Sequence, residues 1–215
     1  MGKRVGAEIW PAVHLERRAL IEDLAHLDPA QWRTPSLCAG WSVHDVLAHL
    51  VDSAKTTRLG FVRRMLASRF DFDRDNAVGV ARERAADPAL TLASFRAVSD
   101  STATPPAALA TRLVEAFVHG EDIRQPLGIV RNYPPAHVAT ALRYQVATSI
   151  KVGGGRELAR GSRLIATDAD FQHGEGPEVR ATAISLLLAV SGRPIAADRV
   201  AGSGASAFVA RVNRD

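Results

Sequence analysis

Between Pro106 and Leu127 the chain carries a helical pattern whose apolar residues cover too much of the circumference for an ordinary surface helix. Leu109, Leu113, Ala116, Phe117, Gly120, Ile123 and Leu127 form one arc at helical spacing, and Ala110, Val114 and Val118 widen it. A helix of this kind is largely enclosed. The narrow strip left over holds Glu115, His119 and Asp122, so acidic and imidazole groups face an interior where they need water, partners or a cation. Glu115 and His119 stand one turn apart and can reach the same ion or proton. A carboxylate and an imidazole so placed supply two of the three protein ligands of an open, catalytic-type zinc site. A pair at this spacing more often belongs to a solvated helix face, so the question is whether a third ligand exists.

The segments before this helix are helical as well. Ile9, Val13, Leu20, Ile21, Leu24 and Leu27 predict a helix from about Ala7 to Leu27, with Pro11 near its start. His14 and His26 in it read as surface or rim histidines. Asp28-Pro29-Ala30-Gln31 opens a short turn carrying Trp32. In the connection after it, Cys38 has no basic neighbour in sequence and reads as a small packing residue rather than a reactive thiol. Ser42 with Asp45 forms a capping-box pattern. The periodic Val43, Val46, Leu47, Leu50, Val51 and Ala54 follow, continuing through Phe61, Val62 and Met65. His49 lies beside that apolar arc, with Asp45 before it and Asp52 after it as carboxylates able to fix its tautomer. Taken locally, a rim histidine paired with an acid is the plainer reading. The acids and arginines of Asp71 to Arg84 read as a solvated face, Asp87-Pro88 as a cap and first residue of another helix, and Ser99 to Thr104 as a polar hinge.

Beyond Gly128 the character changes, and Arg131-Asn132-Tyr133-Pro134-Pro135 reads as a linker. The expected organisation is therefore a helical bundle over residues 1–130 and a small α+β region over 131–215. In the latter, a helix from Ala136 to Ile150 ends at Gly153-Gly154-Gly155, which lacks the Gly-Lys-Ser/Thr ending of a phosphate loop. Arg163 to Thr167 is a strand candidate. Asp168 to Gly176 is an acidic turn lacking calcium-loop spacing. Val179 to Val190 reads as an apolar helix, and Ser203 to Val212 as a last short segment.

Composition narrows the function classes. The formal net charge of +4 comes from 27 Lys and Arg against 23 Asp and Glu, interleaved rather than clustered, which argues against nucleic-acid binding. No apolar run reaches the length of a membrane span, and no signal-type core follows Met1-Gly2-Lys3-Arg4. The single cysteine excludes an internal disulfide and fits a reducing cytoplasm. An exposed apolar face would allow a homodimer, although no heptad run demands one.

The segment Trp32-Arg33-Thr34-Pro35-Ser36-Leu37-Cys38-Ala39-Gly40-Trp41-Ser42-Val43-His44-Asp45-Val46-Leu47-Ala48-His49-Leu50 resembles the helix-entry motif of the mycothiol-dependent maleylpyruvate isomerase family, an actinobacterial branch of the DinB-like metal-binding bundles. Residues from Glu115 through His119, Gly120, Glu121 and Asp122 to Gly128 resemble the second motif of that family. The resemblance implies an up-down four-helix bundle with a long crossover. It also implies a divalent metal, expected to be Zn2+, on His49, Glu115 and His119, and mycothiol as cosubstrate. Asp45, Asp52 and Asp122 are the expected orienting carboxylates. In the isomerase proper an arginine of a larger second domain helps hold the substrate, and Arg180 and Arg193 are the candidates here. The expected activity is thiol-dependent isomerisation or thiol transfer on a small electrophile; the alternative is a metal-binding stress or ligand-sensing bundle without turnover.

Overall fold

A computed structural model describes residues 2–214, with side chains from residue 8 onward. It is mainly helical with a small three-stranded sheet, and the chain divides into two compact units, Met1–Val130 and Arg131–Asp215.

In the first unit α1 (Gly2–Leu24), α2 (Val43–Lys55), α5 (Pro88–Ala97) and α6 (Ala110–Arg124) pack around one apolar core, while α3 (Arg58–Ala67) and α4 (Phe72–Glu83) intervene between α2 and α5. Leu20, Ile21 and Leu24 of α1 meet Val46, Leu47, Leu50 and Val51 of α2, Leu92 and Phe95 of α5, and Ile123 of α6. These residues have the periodicity that enclosed helices require. Ser42 caps α2 through the expected capping box: its side chain accepts from Asp45 N–H, and the Asp45 carboxylate accepts from Ser42 N–H. Asp87 caps α5, with Pro88 at its first turn.

Three local expectations are corrected. The long first helix begins earlier than Ala7, so Pro11 lies inside it and removes one backbone donor from the ladder. The apolar pattern from Val43 to Met65 is broken at Thr56 and Thr57, where the Thr57 hydroxyl accepts from Gly60 N–H and starts α3. Periodicity spans the break because both helices bury one face. The Asp71–Arg84 stretch is not a uniformly solvated face. Arg64 holds the Asp75 carboxylate at 2.8 Å and Asp52 at 2.8 Å, and Arg82 also pairs with Asp52. Hydrogen bonding of this kind compensates the burial of Asp52 and Asp75, which are 2% and 7% exposed.

Gly79 is where α4 meets this network on α2. A Cβ there would lie 2.5 Å from Asp52 Oδ2. Gly79→Ala is therefore expected to destabilise the fold by about 1–3 kcal/mol despite alanine's higher helix propensity, and denaturant titration of the two proteins checks this.

His44 supplies a pH dependence. It is 2% exposed, its Nε2 lies 2.8 Å from Thr91 Oγ1, and burial first, then the Arg84 charge, lowers its pKa. A histidine that resists protonation when folded contributes stability above its unfolded pKa of about 6.5 and loses it as pH falls through that value toward the folded pKa. Thermal melts from pH 7 to pH 5 are expected to show a falling Tm, and His44→Gln to flatten that acid limb by a few degrees, at about 2–4 °C per kcal/mol.

The second unit begins with α7 (Pro135–Ala147) and the single turn α8 (Arg156–Ala159). Strands β1 (Arg163–Ala166), β2 (Gln172–His173) and β3 (Glu178–Ala181) form a sheet in the order β2-β1-β3, with β1 antiparallel to β2 and parallel to β3. The expected helix from Val179 to Val190 is in fact β3 followed by α9 (Ala183–Val190), which Thr182 caps through Ser185 N–H. An apolar run alone does not separate a buried strand from a buried helix. Gly155 permits close approach to the end of α9, since a Cβ there would lie 1.9 Å from the Val190 carbonyl oxygen. Helix α10 (Ala205–Val212) is the last helix among the described residues. Among the described residues no helix is long and apolar enough to cross a membrane.

Candidate metal centre

His49 and Ser53 lie one turn apart on α2, and Glu115 and His119 lie one turn apart on α6. The His49 and His119 rings meet edge to face with centroids 4.8 Å apart, and the Ser53 hydroxyl donates to Glu115 Oε2. Because the higher-numbered residue of one helix meets the lower-numbered residue of the other, the two strips run antiparallel. One register therefore brings His49, Glu115 and His119 into the same polar seam of the bundle.

Glu115 is held as a carboxylate. Burial opposes its charge, but Arg112, His49, Ser53 and Arg17 outweigh burial and lower its pKa. Arg112 Nη1 lies 3.1 Å from Glu115 Oε2 and donates to Ser53 Oγ at 2.9 Å. Both contacts with Glu115 fall on Oε2.

The two imidazoles are biased in opposite directions. Burial, followed by the His119 charge, pushes the His49 pKa down to about 3, so this ring is neutral with a lone pair to offer. Its Nδ1 is buried and has no hydrogen-bond partner, and its ring lies 5.2 Å from the ring of Trp41. For His119, burial acts downward, yet hydrogen bonds to Asp122 and Cys38 raise the pKa to about 9. His119 Nδ1 stands 2.8 Å from Asp122 Oδ2, and Asp122 is fully buried. With the extra ring proton displaced, a carboxylate on Nδ1 would hold the neutral ring in the tautomer that offers Nε2, the usual support of a metal-binding histidine. Two imidazoles and one carboxylate, with a buried nitrogen that lacks a protein partner, are the donor types of a divalent-cation site.

The remaining sequence candidates have partners of their own. Asp45 is occupied by Ser42 and by Arg84 Nε at 2.7 Å. Asp52 binds Arg64 and Arg82. The structure gives these two carboxylates arginine partners, whereas Asp122 is the one joined to a histidine of the trio. Arg180 and Arg193 belong to the second unit, where Arg180 Nη2 pairs with Glu178 at 2.7 Å and Arg193 Nη1 donates to the Ser191 carbonyl at 2.7 Å.

Cys38 is the residue whose surroundings the sequence concealed. It packs against the bundle core, as expected of a small residue, but it also hydrogen-bonds His119. Ligand atoms of Cys38, His119 and Asp122 all lie within 4.8 Å of one another. Its loop is tied down by Leu37 N–H donating to the Asp122 carbonyl at 3.2 Å and by Cys38 N–H donating to Ser36 Oγ at 3.1 Å. No local signal announces this contact, because the partner lies on α6.

Residues 13–104 match the family of mycothiol maleylpyruvate isomerase N-terminal domains. That span includes Cys38 and His49 and ends before Glu115, His119 and Asp122. No curated protein matches the chain by sequence. Two solved structures share its fold. A crystal structure of a histidine-to-alanine mutant of the mycothiol-dependent maleylpyruvate isomerase has a TM-score of 0.62 at 16% identity, covering 93% of each chain. A crystal structure of the mycothiol-dependent maleylpyruvate isomerase has a TM-score of 0.59 at 16% identity, again covering 93% of each chain. The resemblance read from the segment around His49 is thus supported by both comparisons; at this identity the structural likeness is one of fold.

Proposed function

We propose that this chain, whose residues 13–104 match the mycothiol maleylpyruvate isomerase N-terminal domain, is a metal-dependent enzyme. It would use a low-molecular-weight thiol, mycothiol, to isomerise a small electrophile or to transfer the thiol to it. The observation that carries this reading is the meeting of His49 with the Glu115 and His119 strip across α2 and α6.

His49, Glu115 and His119 would hold the cation, expected to be zinc. A divalent cation with an open position lowers the pKa of a bound thiol, so that it is a nucleophile at neutral pH. The protein's own groups prepare that chemistry. Arg112 and Ser53 hold Glu115 by one oxygen and keep it ionised. Burial keeps His49 neutral. Asp122 orients His119 and compensates the charge on its ring, although a cation must displace the proton that this arrangement favours. Arg180 and Arg193 are the candidate contacts for an anionic substrate.

Calorimetric titration of zinc-loaded protein with mycothiol, beside a cis–trans isomerisation assay on maleylpyruvate, tests the proposal. Saturable thiol binding with thiol-dependent turnover is expected. Zinc-loaded protein that neither binds mycothiol nor turns over would leave a metal-binding bundle without catalysis.

A further inference from the structure

We infer that Cys38 is a fourth protein donor to this cation, holding a sulfur-binding position until an external thiol replaces it. The inference rests on the reading of His49, Glu115 and His119 as a metal centre and adds a sulfur ligand from the loop before α2.

The support is geometric. Cys38 reaches His119, not a random part of the core, and its sulfur shares a 4.8 Å cluster with ligand atoms of His119 and Asp122. Asp122 is committed to His119 Nδ1, and the thiol, which hydrogen-bonds the same ring, brings the sulfur of that cluster. The loop is held in place from both sides. Pro35 pairs with Ser42 in a β-bridge, Ser36 Oγ donates to the Trp41 carbonyl at 2.8 Å, and Leu37 N–H is anchored on α6 at Asp122. The same loop supplies Trp41, whose ring contacts His49. One short segment therefore touches both histidines, from α2 and from α6. Thiolate is a strong ligand for zinc and cobalt.

Exchange with an external thiol balances without any oxidant. The Cys38 sulfur would leave the cation as the incoming sulfur took its place, and the proton of the incoming thiol would pass to Cys38. The site thus changes one sulfur for another and keeps its charge.

Cobalt(II) substitution under a phosphine reductant, with no thiol present, reads this directly. The chain has one cysteine, so a near-ultraviolet thiolate-to-cobalt absorption band has one source. The expected result is such a band in the native sequence at one cobalt per chain. It should be lost in Cys38→Ser with cobalt still bound, and restored in that variant by added mycothiol. In the native sequence, mycothiol should leave the band at the intensity of a single sulfur. Bound cobalt without the band would overturn Cys38 ligation while leaving the two-histidine, one-carboxylate centre standing. A doubled band on adding mycothiol would overturn the exchange. Failure to bind cobalt at all would overturn both the centre and the inference. Because the native-sequence spectrum alone decides ligation, the test survives a Cys38→Ser variant that fails to fold.

Discussion

Replacing His119 with alanine is expected to abolish stoichiometric zinc binding, with the affinity falling by more than the roughly 10–100-fold that loss of an orienting partner costs. The ring is the point on which the site converges: it contacts His49 at 4.8 Å between centroids, Asp122 at 2.8 Å, and Cys38. Its removal deletes a proposed ligand and takes the imidazole from the fully buried Asp122 carboxylate, so some loss of stability should accompany the loss of metal. Asp122→Asn separates the two effects. It retains an oxygen that can accept from Nδ1–H but removes the charge, so zinc affinity should fall within the 10–100-fold range while binding remains measurable. Competition against a chromophoric chelator gives both affinities, and circular dichroism confirms that the helices persist.

The second large effect is structural. Arg124 has no exposed surface, and it ties α6 to α1 through Asp23, at 2.7 Å from its Nε, and Glu16, at 3.8 Å from its Nη1. Glu16 is itself only 3% exposed. Arg124→Met removes the cation and leaves that carboxylate in the interior, and breaking a buried pair from one side costs about 3–5 kcal/mol. At about 2–4 °C per kcal/mol, the Tm should fall by roughly 10 °C. The double variant Arg124→Met with Glu16→Met removes the arginine together with its buried partner, leaving only Asp23, whose side chain is 25% exposed to water, and should recover part of the loss, since apolar replacement of a buried pair is often close to neutral. A double variant no more stable than Arg124→Met would contradict this account of the arginine.

What the sequence disclosed follows from the range of each interaction. The capping box of Ser42 and Asp45 and the cap at Asp87 are contacts within one helical turn, and both form as the spacing predicts. The placement of Glu115 and His119 on one strip is likewise local, and helix geometry alone delivers it. His49 was visible as a histidine beside an apolar arc, but only the packing of α2 on α6 brings it to His119. The orienting carboxylates show the same limit. Asp45 and Asp52 flank His49 in sequence yet turn to Arg84, Arg64 and Arg82, because arginines brought up by α3, α4 and the segment after α4 compete for them. Cys38 was hidden for the matching reason: its neighbours in sequence are uncharged, and its partner comes from α6. The break at Thr56 and the division of 178–190 into β3 and α9 escaped because burial imposes an apolar pattern on either side of such joints, whatever the backbone does between them.

In the proposed centre one cation joins α2 to α6 through His49, Glu115 and His119. Anomalous diffraction at the zinc absorption edge, from crystals of zinc-loaded protein, locates the ion directly. The account predicts a single peak per chain within coordination distance of those three side chains, absent from the His49→Ala/His119→Ala double variant. A peak elsewhere, or a stoichiometric ion retained in the double variant, would contradict it.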